Sequence, residues 1–165
     1  MKTNLIFKKI DNHSVSPKQF DDIVAVEQSG SEDCYTEEQL RQIYLENENY
    51  INYACFDGDK IVAHIATNPN SKRRNGSIYI INITVLPDYR RQGIGQKLIH
   101  AVCKYYLENN YSLPMSVSVD KDNQNAINLY LKVGFEIKDP ICEADEDDEQ
   151  YILDATLSKL NNTTT

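Results

Sequence analysis

The run Ile78-Tyr-Ile-Ile-Asn-Ile-Thr-Val85 carries an apolar side chain at nearly every position and is closed by Pro87. A strand that is apolar on both faces must be covered on both, which places it at the centre of a sheet. Directly after it the spacing becomes helical: from Gly93 to Asn109, Ile94, Leu98, Val102 and Tyr105 or Tyr106 form one stripe. Pro114 to Val119 then alternates Met115, Val117 and Val119 against Ser116 and Ser118, a strand period. A crossover from the central strand through a helix to this strand makes the two strands parallel neighbours.

The flanking segments supply the other layers. Leu5 to Ile10 reads as a first strand, followed by helices from Pro17 to about Gln28 and from Thr36 to about Glu46. Pro17 suits a first helical turn, and Thr36 caps the second helix with Glu37 and Glu38 at its positive end. Tyr50 to Phe56 turns through Asp57-Gly58 into Ile61 to Thr67, which turns through Asn75-Gly76 into Ser77 to Leu86; both dipeptides favour tight hairpins, so an antiparallel meander is expected. Gln124 to Val133 is helical and stopped by Gly134, and Phe135 to Ile141 pairs with Gln150 to Leu157 as a closing hairpin. The expected fold is α/β, a mixed and mostly antiparallel sheet flanked by helices. Its 165 residues, 41% of them hydrophobic, suffice for one core, so we expect one domain over 1–160 and a polar tail over 161–165.

Charge and cysteine usage narrow the partners. No run approaches the roughly 18 apolar residues of a membrane span, and Met1 to Asp11 lacks a secretory segment, so a cytoplasmic protein is expected. Cys34, Cys55, Cys103 and Cys142 are scattered without metal-ligand spacing, which predicts reduced structural thiols and no metal. A net charge of −8 argues against nucleic acid and anionic membranes. Six acids between Glu143 and Glu149 account for most of it, since without them −8 becomes −2. Such a run is either part of a site or a solvated loop.

Arg90-Arg-Gln-Gly-Ile-Gly95 lies between the central strand and the next helix. A helix N-terminus exposes unpaired N–H groups, glycines let a phosphate approach the backbone, and two arginines add charge: the ingredients of a pyrophosphate site. Neither a Walker loop nor a GxGxxG dinucleotide turn is present.

The wider segment Val85-Leu-Pro-Asp-Tyr-Arg-Arg-Gln-Gly-Ile-Gly-Gln-Lys-Leu98 resembles the acetyl-CoA signature of the GNAT N-acetyltransferase superfamily. Asn123-Gln-Asn-Ala-Ile-Asn-Leu-Tyr-Leu-Lys-Val-Gly-Phe135 is similar to that family's second signature. The resemblance implies that Arg90, Arg91, Gln92, Gly93, Ile94, Gly95 and Gln96 hold the CoA pyrophosphate. It also implies that Ile83 and Val85 offer backbone bonds to the pantetheine arm, on a central strand splayed from its parallel neighbour, and that Asn123 and Tyr130 meet the cofactor. Tyr130 becomes the catalytic candidate, because a phenol can donate to the thiolate that departs when an amine attacks a thioester.

No general base stands out. Tyr79, Ile81, Asn82, Ser116 and Ser118 occupy the strands where relatives place one, and a lone His such as His64 is more often a packed residue than a base. The resemblance implies that the acceptor passes the Ser29–Cys34 loop and the Glu143–Glu149 loop. Both are acidic, which favours a small cationic amine; Lys72-Arg-Arg74 runs the other way. The alternatives are a protein or peptide N-terminus, whose acetyltransferases carry a Glu where this chain has Ser118, and a CoA-binding sensor without turnover. Family habit adds a homodimer.

Overall fold

The computed structural model describes residues 4–30, 34–70, 76–138 and 150–162. In chain order the elements are β1 (Leu5–Lys9), α1 (Pro17–Gln28), α2 (Glu37–Arg41), a π-helical turn (Gln42–Glu46), β2 (Ile51–Asp57), β3 (Lys60–Asn68) and β4 (Ile78–Val85). A 3-10 turn (Pro87–Tyr89), α3 (Ile94–Glu108), β5 (Met115–Asp120), α4 (Gln124–Val133), β6 (Glu136–Ile137), β7 (Gln150–Ala155) and α5 (Leu157–Asn162) follow. Seven strands form one mixed sheet in the order β1-β2-β3-β4-β5-β7-β6. The expected parallel pair is present: β4 runs with β5 over Ile78↔Met115 and Tyr79↔Ser116. Pairs β1/β2, β2/β3, β5/β7 and β6/β7 are antiparallel.

By contacts the chain divides into two compact units, Met1–Pro69 with Ile81–Val102, and Asn70–Ile80 with Cys103–Thr165. In the first, α1 begins where Ser16 and Gln19 cap each other reciprocally and Pro17 fills the first turn. Phe20, Ile23 and Val26 then fall on one face and join Leu40, Ile43, Tyr44, Phe56 and Ile61 in the core. Thr36 caps α2 in the same reciprocal way with Gln39. The expected single helix to Glu46 instead widens at Gln42, where Asn47 N–H donates to the Gln42 carbonyl at 3.0 Å. Asn52 Nδ2 donates to the Ile43 carbonyl at 3.0 Å, and the wider turn carries Tyr44 fully into the core.

In the second unit, α4 closes as Gly134 suggests. Gly134 adopts φ 115°, its N–H reaches the Leu131 carbonyl at 3.2 Å, and Phe135 N–H reaches the Tyr130 carbonyl at 2.9 Å, a Schellman closure. The chain end departs from expectation. β7 stops at Ala155, short of the strand end expected at Leu157, and Leu157–Asn162 is a helix whose Leu157 and Leu160 are buried. Thr156 explains the switch, because its hydroxyl accepts from Lys159 N–H at 3.2 Å and starts a new helix. Thr156→Ala is expected to cost about 1 kcal/mol, read as a lower denaturation midpoint at unchanged m.

β4 also differs from a strand covered throughout: Ile78, Tyr79 and Ile80 are buried, but Ile81 to Val85 are half-buried. The Glu143–Glu149 run, Glu32, Asp33, Cys142 and Lys72-Arg-Arg74 lie outside the described residues. No helix among the described residues is long and apolar enough to cross a membrane.

Candidate functional site

The turn between β4 and α3 has an uncommon backbone. Arg90 has φ −68°, Arg91 +64°, and Gly93 +74°, with Gln92 between them on the negative side. Arg90 itself is extended, with ψ 161°, and the positive φ at Arg91 and Gly93 bends the chain sharply from β4 into α3. For Arg91 this left-handed conformation is sterically unfavourable by about 1–2 kcal/mol. Gly93 accommodates it freely, and a β-carbon built there meets nothing within 4 Å. Backbone conformation rather than crowding is therefore what demands glycine at 93 in the free protein.

The turn opens onto the N-terminus of α3. The first intrahelical bond runs from Lys97 N–H to the Gly93 carbonyl at 3.0 Å, which leaves the N–H groups of Ile94, Gly95 and Gln96 without intrahelical acceptors. Ile94 is buried and anchors the helix start, Gly95 is half-buried, and Gln96 is 6% exposed with its Nε2 unpartnered. A buried amide donor without an acceptor is uncommon, and beside free helix N–H groups it fits an anionic ligand.

Arg90 is exposed and folds back, its Nε donating to the Val85 carbonyl at 3.0 Å and its Nη2 to the Ser29 carbonyl at 3.4 Å. Arg91 and Gln92 point to solvent. Ile83 and Val85 lie on the half-buried end of β4, next to this turn.

In the second unit Asn123 is the N-cap of α4, its Oδ1 accepting from Ala126 N–H at 3.2 Å. Tyr130 is 3% exposed and packs edge-on against Phe135, ring centroids 5.4 Å apart at 74°. Burial, with a smaller contribution from Tyr79, pushes its phenol pKa well above the ordinary value. Such a group stays protonated and acts as a donor, never as a base near neutrality. Ser116, considered on the parallel neighbour, is engaged by Ser77 at 2.7 Å.

A buried polar cluster in the first unit escaped sequence reasoning. His64 on β3 is fully buried, with Nδ1 2.7 Å from Tyr44 Oη and Nε2 3.2 Å from Glu27 Oε2, a charge-pair distance without hydrogen-bond alignment. Glu27 on α1 accepts from Tyr35 N–H at 3.1 Å, from Asn82 Nδ2, and from Thr84 Oγ1 at 3.3 Å. Its burial favours the neutral acid, but His64, the Tyr35 N–H and the Asn82 amide outweigh that and hold its pKa below the usual glutamate value. One signal was available: Glu27 stands seven residues after Phe20 and four after Ile23, a carboxylate on the apolar face of its own helix.

Residues 18–135 match the model of the acetyltransferase (GNAT) family. An N-alpha-acetyltransferase of Sulfurisphaera tokodaii is 40% identical over 57 residues, 34% of each chain, so the match spans about a third of that curated relative. Among solved structures, the ribosomal-protein-S18-alanine N-acetyltransferase from Escherichia coli has a TM-score of 0.71 at 19% identity, over 93% of this chain and 94% of that one. Arabidopsis thaliana NAA60 in complex with acetyl-CoA has a TM-score of 0.73 at 15% identity, over 94% and 99% of the two chains.

Proposed function

The chain belongs to the acetyltransferase (GNAT) family, and we propose that it is an acetyl-CoA-dependent N-acetyltransferase whose acceptor is the primary amine of a small cationic molecule. The amine attacks the thioester directly within a ternary complex. The observation that supports the cofactor half is the turn from Arg90 to Gly93 opening onto the α3 N-terminus. In this reading Arg90, Arg91, Gln92, Gly93, Ile94, Gly95 and Gln96 receive the pyrophosphate, and Ile83 and Val85 the pantetheine arm. Asn123 contributes the amide nitrogen that its cap bond does not use.

Acetyl-CoA supplies an acyl group already activated as a thioester. The neutral amine nitrogen forms a bond to the acetyl carbon and gives up one proton through water to solvent, the carbon–sulfur bond breaks, and Tyr130 donates a hydrogen bond to the sulfur that takes the electron pair. Burial pushes Cys55 and Cys103 each up to about 11, where they are poor nucleophiles, so neither of these two thiols is suited to carry the acetyl group.

Supporting a cationic acceptor are the net charge of −8 and the six acids from Glu143 to Glu149. A protein N-terminus is the second reading, favoured by the partial match to an N-alpha-acetyltransferase. The test is thiol release from acetyl-CoA with spermidine, a monoamine, and a peptide bearing a free N-terminal alanine. With spermidine, kcat/KM is expected to fall with added salt while kcat changes less, because the field guides approach and is screened over about 8 Å at physiological ionic strength. Asp145, Asp147 and Asp148 changed together to Asn should mimic salt for spermidine and spare the monoamine. Equal losses for both acceptors would remove the polycation from the proposal, and CoA binding without turnover on any amine would leave a sensor.

A further inference from the structure

We propose that Asn82 binds the acceptor amine through its side-chain carbonyl, and that Glu27 is the positioning residue that turns this amide the right way round. The inference rests on the acetyl-transfer reading above and assigns the residues that hold the amine.

A carboxylate offers about four lone-pair sites, two on each oxygen. Around Glu27, Oε1 accepts from the Tyr35 N–H at 3.1 Å, and Oε2 accepts from the Asn82 amide nitrogen and from the Thr84 hydroxyl at 3.3 Å. These donors come from the segment before α2 and from β4, and the His64 ring on β3 stands 3.2 Å from Oε2 without hydrogen-bond alignment. A carboxylate that is 3% exposed, accepts three hydrogen bonds and is held below the usual glutamate pKa takes up a proton from an incoming ammonium poorly. Glu27 is therefore not the base that this reading uses.

What it does instead is orient its neighbours. An amide presents a donor and an acceptor end of nearly equal size, and only its partners decide which end points where. The charge of Glu27 decides it for Asn82 by drawing Nδ2 inward. Thr84 has one hydroxyl hydrogen and two acceptors in reach, Glu27 at 3.3 Å and Asn82 Oδ1 at 3.5 Å, and the ionised and nearer carboxylate wins. Asn82 Oδ1 is then left as an acceptor without a strong donor. It lies on the stretch of β4 that loses its cover, three residues after Tyr79 and one before Ile83. An amine N–H is the donor that an unclaimed carbonyl oxygen on this wall would take. The same carboxylate holds the Tyr35 backbone, and Tyr35 Oη donates to the Ile81 carbonyl at 3.4 Å, so Tyr35 is tied to α1 through its N–H and to β4 through its hydroxyl.

In Glu27→Gln a neutral amide replaces the charge and brings donors of its own, so Asn82 loses its reason to keep Nδ2 inward. We expect KM for spermidine to rise on the order of 10-fold or more, with acetyl-CoA affinity by calorimetry unchanged within about twofold. The acid limb of the pH–rate profile should stay where it is. Should Glu27→Gln fold poorly, Asn82→Leu, at a half-buried position, is expected to give the same rise in KM, and the double variant should be no worse than the worse single one. A second readout does not need turnover: titrating spermidine into the CoA-bound protein should shift the Asn82 side-chain amide resonances, identified by their loss in Asn82→Leu. Unchanged KM in Asn82→Leu, or loss of the acid limb in Glu27→Gln, overturns the inference. A shift of the Asn82 signals in a protein that transfers no acetyl group would sink the acetyl-transfer reading alone, whereas turnover with silent Asn82 signals would sink this one alone.

Discussion

Changing Tyr130 to Phe is expected to lower kcat by a factor on the order of 10 to 10⁴ and leave acetyl-CoA affinity nearly unchanged. The contrast follows from how the ring is held. Its edge packs on Phe135 at 5.4 Å, and its own carbonyl is captured by the Phe135 N–H. A phenylalanine keeps both contacts and loses only the hydroxyl. Because burial raises the phenol pKa, the wild-type donor is present throughout neutral pH, and no falling limb from this group should appear below about pH 10. Single-turnover rates with saturating amine report the chemical step directly. A Phe variant with wild-type single-turnover rate would leave Tyr130 a packing residue.

Gly95→Ala is expected to move stability and affinity in opposite directions. Gly95 is the second residue of α3 and has negative φ, so alanine fits the free helix and gains up to about 1 kcal/mol in propensity. The added carbon sits beside the free N–H groups that would meet phosphate oxygens, and CoA binding should weaken about tenfold or more, equivalent to about 1.4 kcal/mol. Thermal unfolding and calorimetry on one variant separate the two signs. Gly93→Ala cannot, since φ +74° strains alanine whether or not ligand is present. Unaltered CoA affinity in a folded Gly95→Ala protein would displace the cradle from this helix end.

Where local chemistry marks an element, its limits were legible. α1 begins at Pro17 and α4 ends before Gly134, as their punctuation suggests. The parallel pairing of β4 with β5 followed from a crossover rule that needs only element order. The failures share a cause, which is that tertiary partners decided them. α5 is six residues long, too short for periodicity to speak, and it exists because Leu157 and Leu160 are buried. The π turn depends on Tyr44 and Asn52 finding partners far along the chain. At the candidate site the signatures pointed to the turn from Arg90 to Gly95, yet nothing in an arginine announces a left-handed backbone at position 91. Glu27 was visible only as an anomaly on an apolar stripe, since its four partners are scattered from residue 35 to residue 84.

That left-handed Arg91 determines when the strain in the turn is met. The unfavourable backbone is already adopted in the free chain, so its energy is charged to folding and not to ligand capture. In the proposed reading, a turn built this way would present the free N–H groups at the α3 N-terminus to a phosphate with little ordering left to do on arrival.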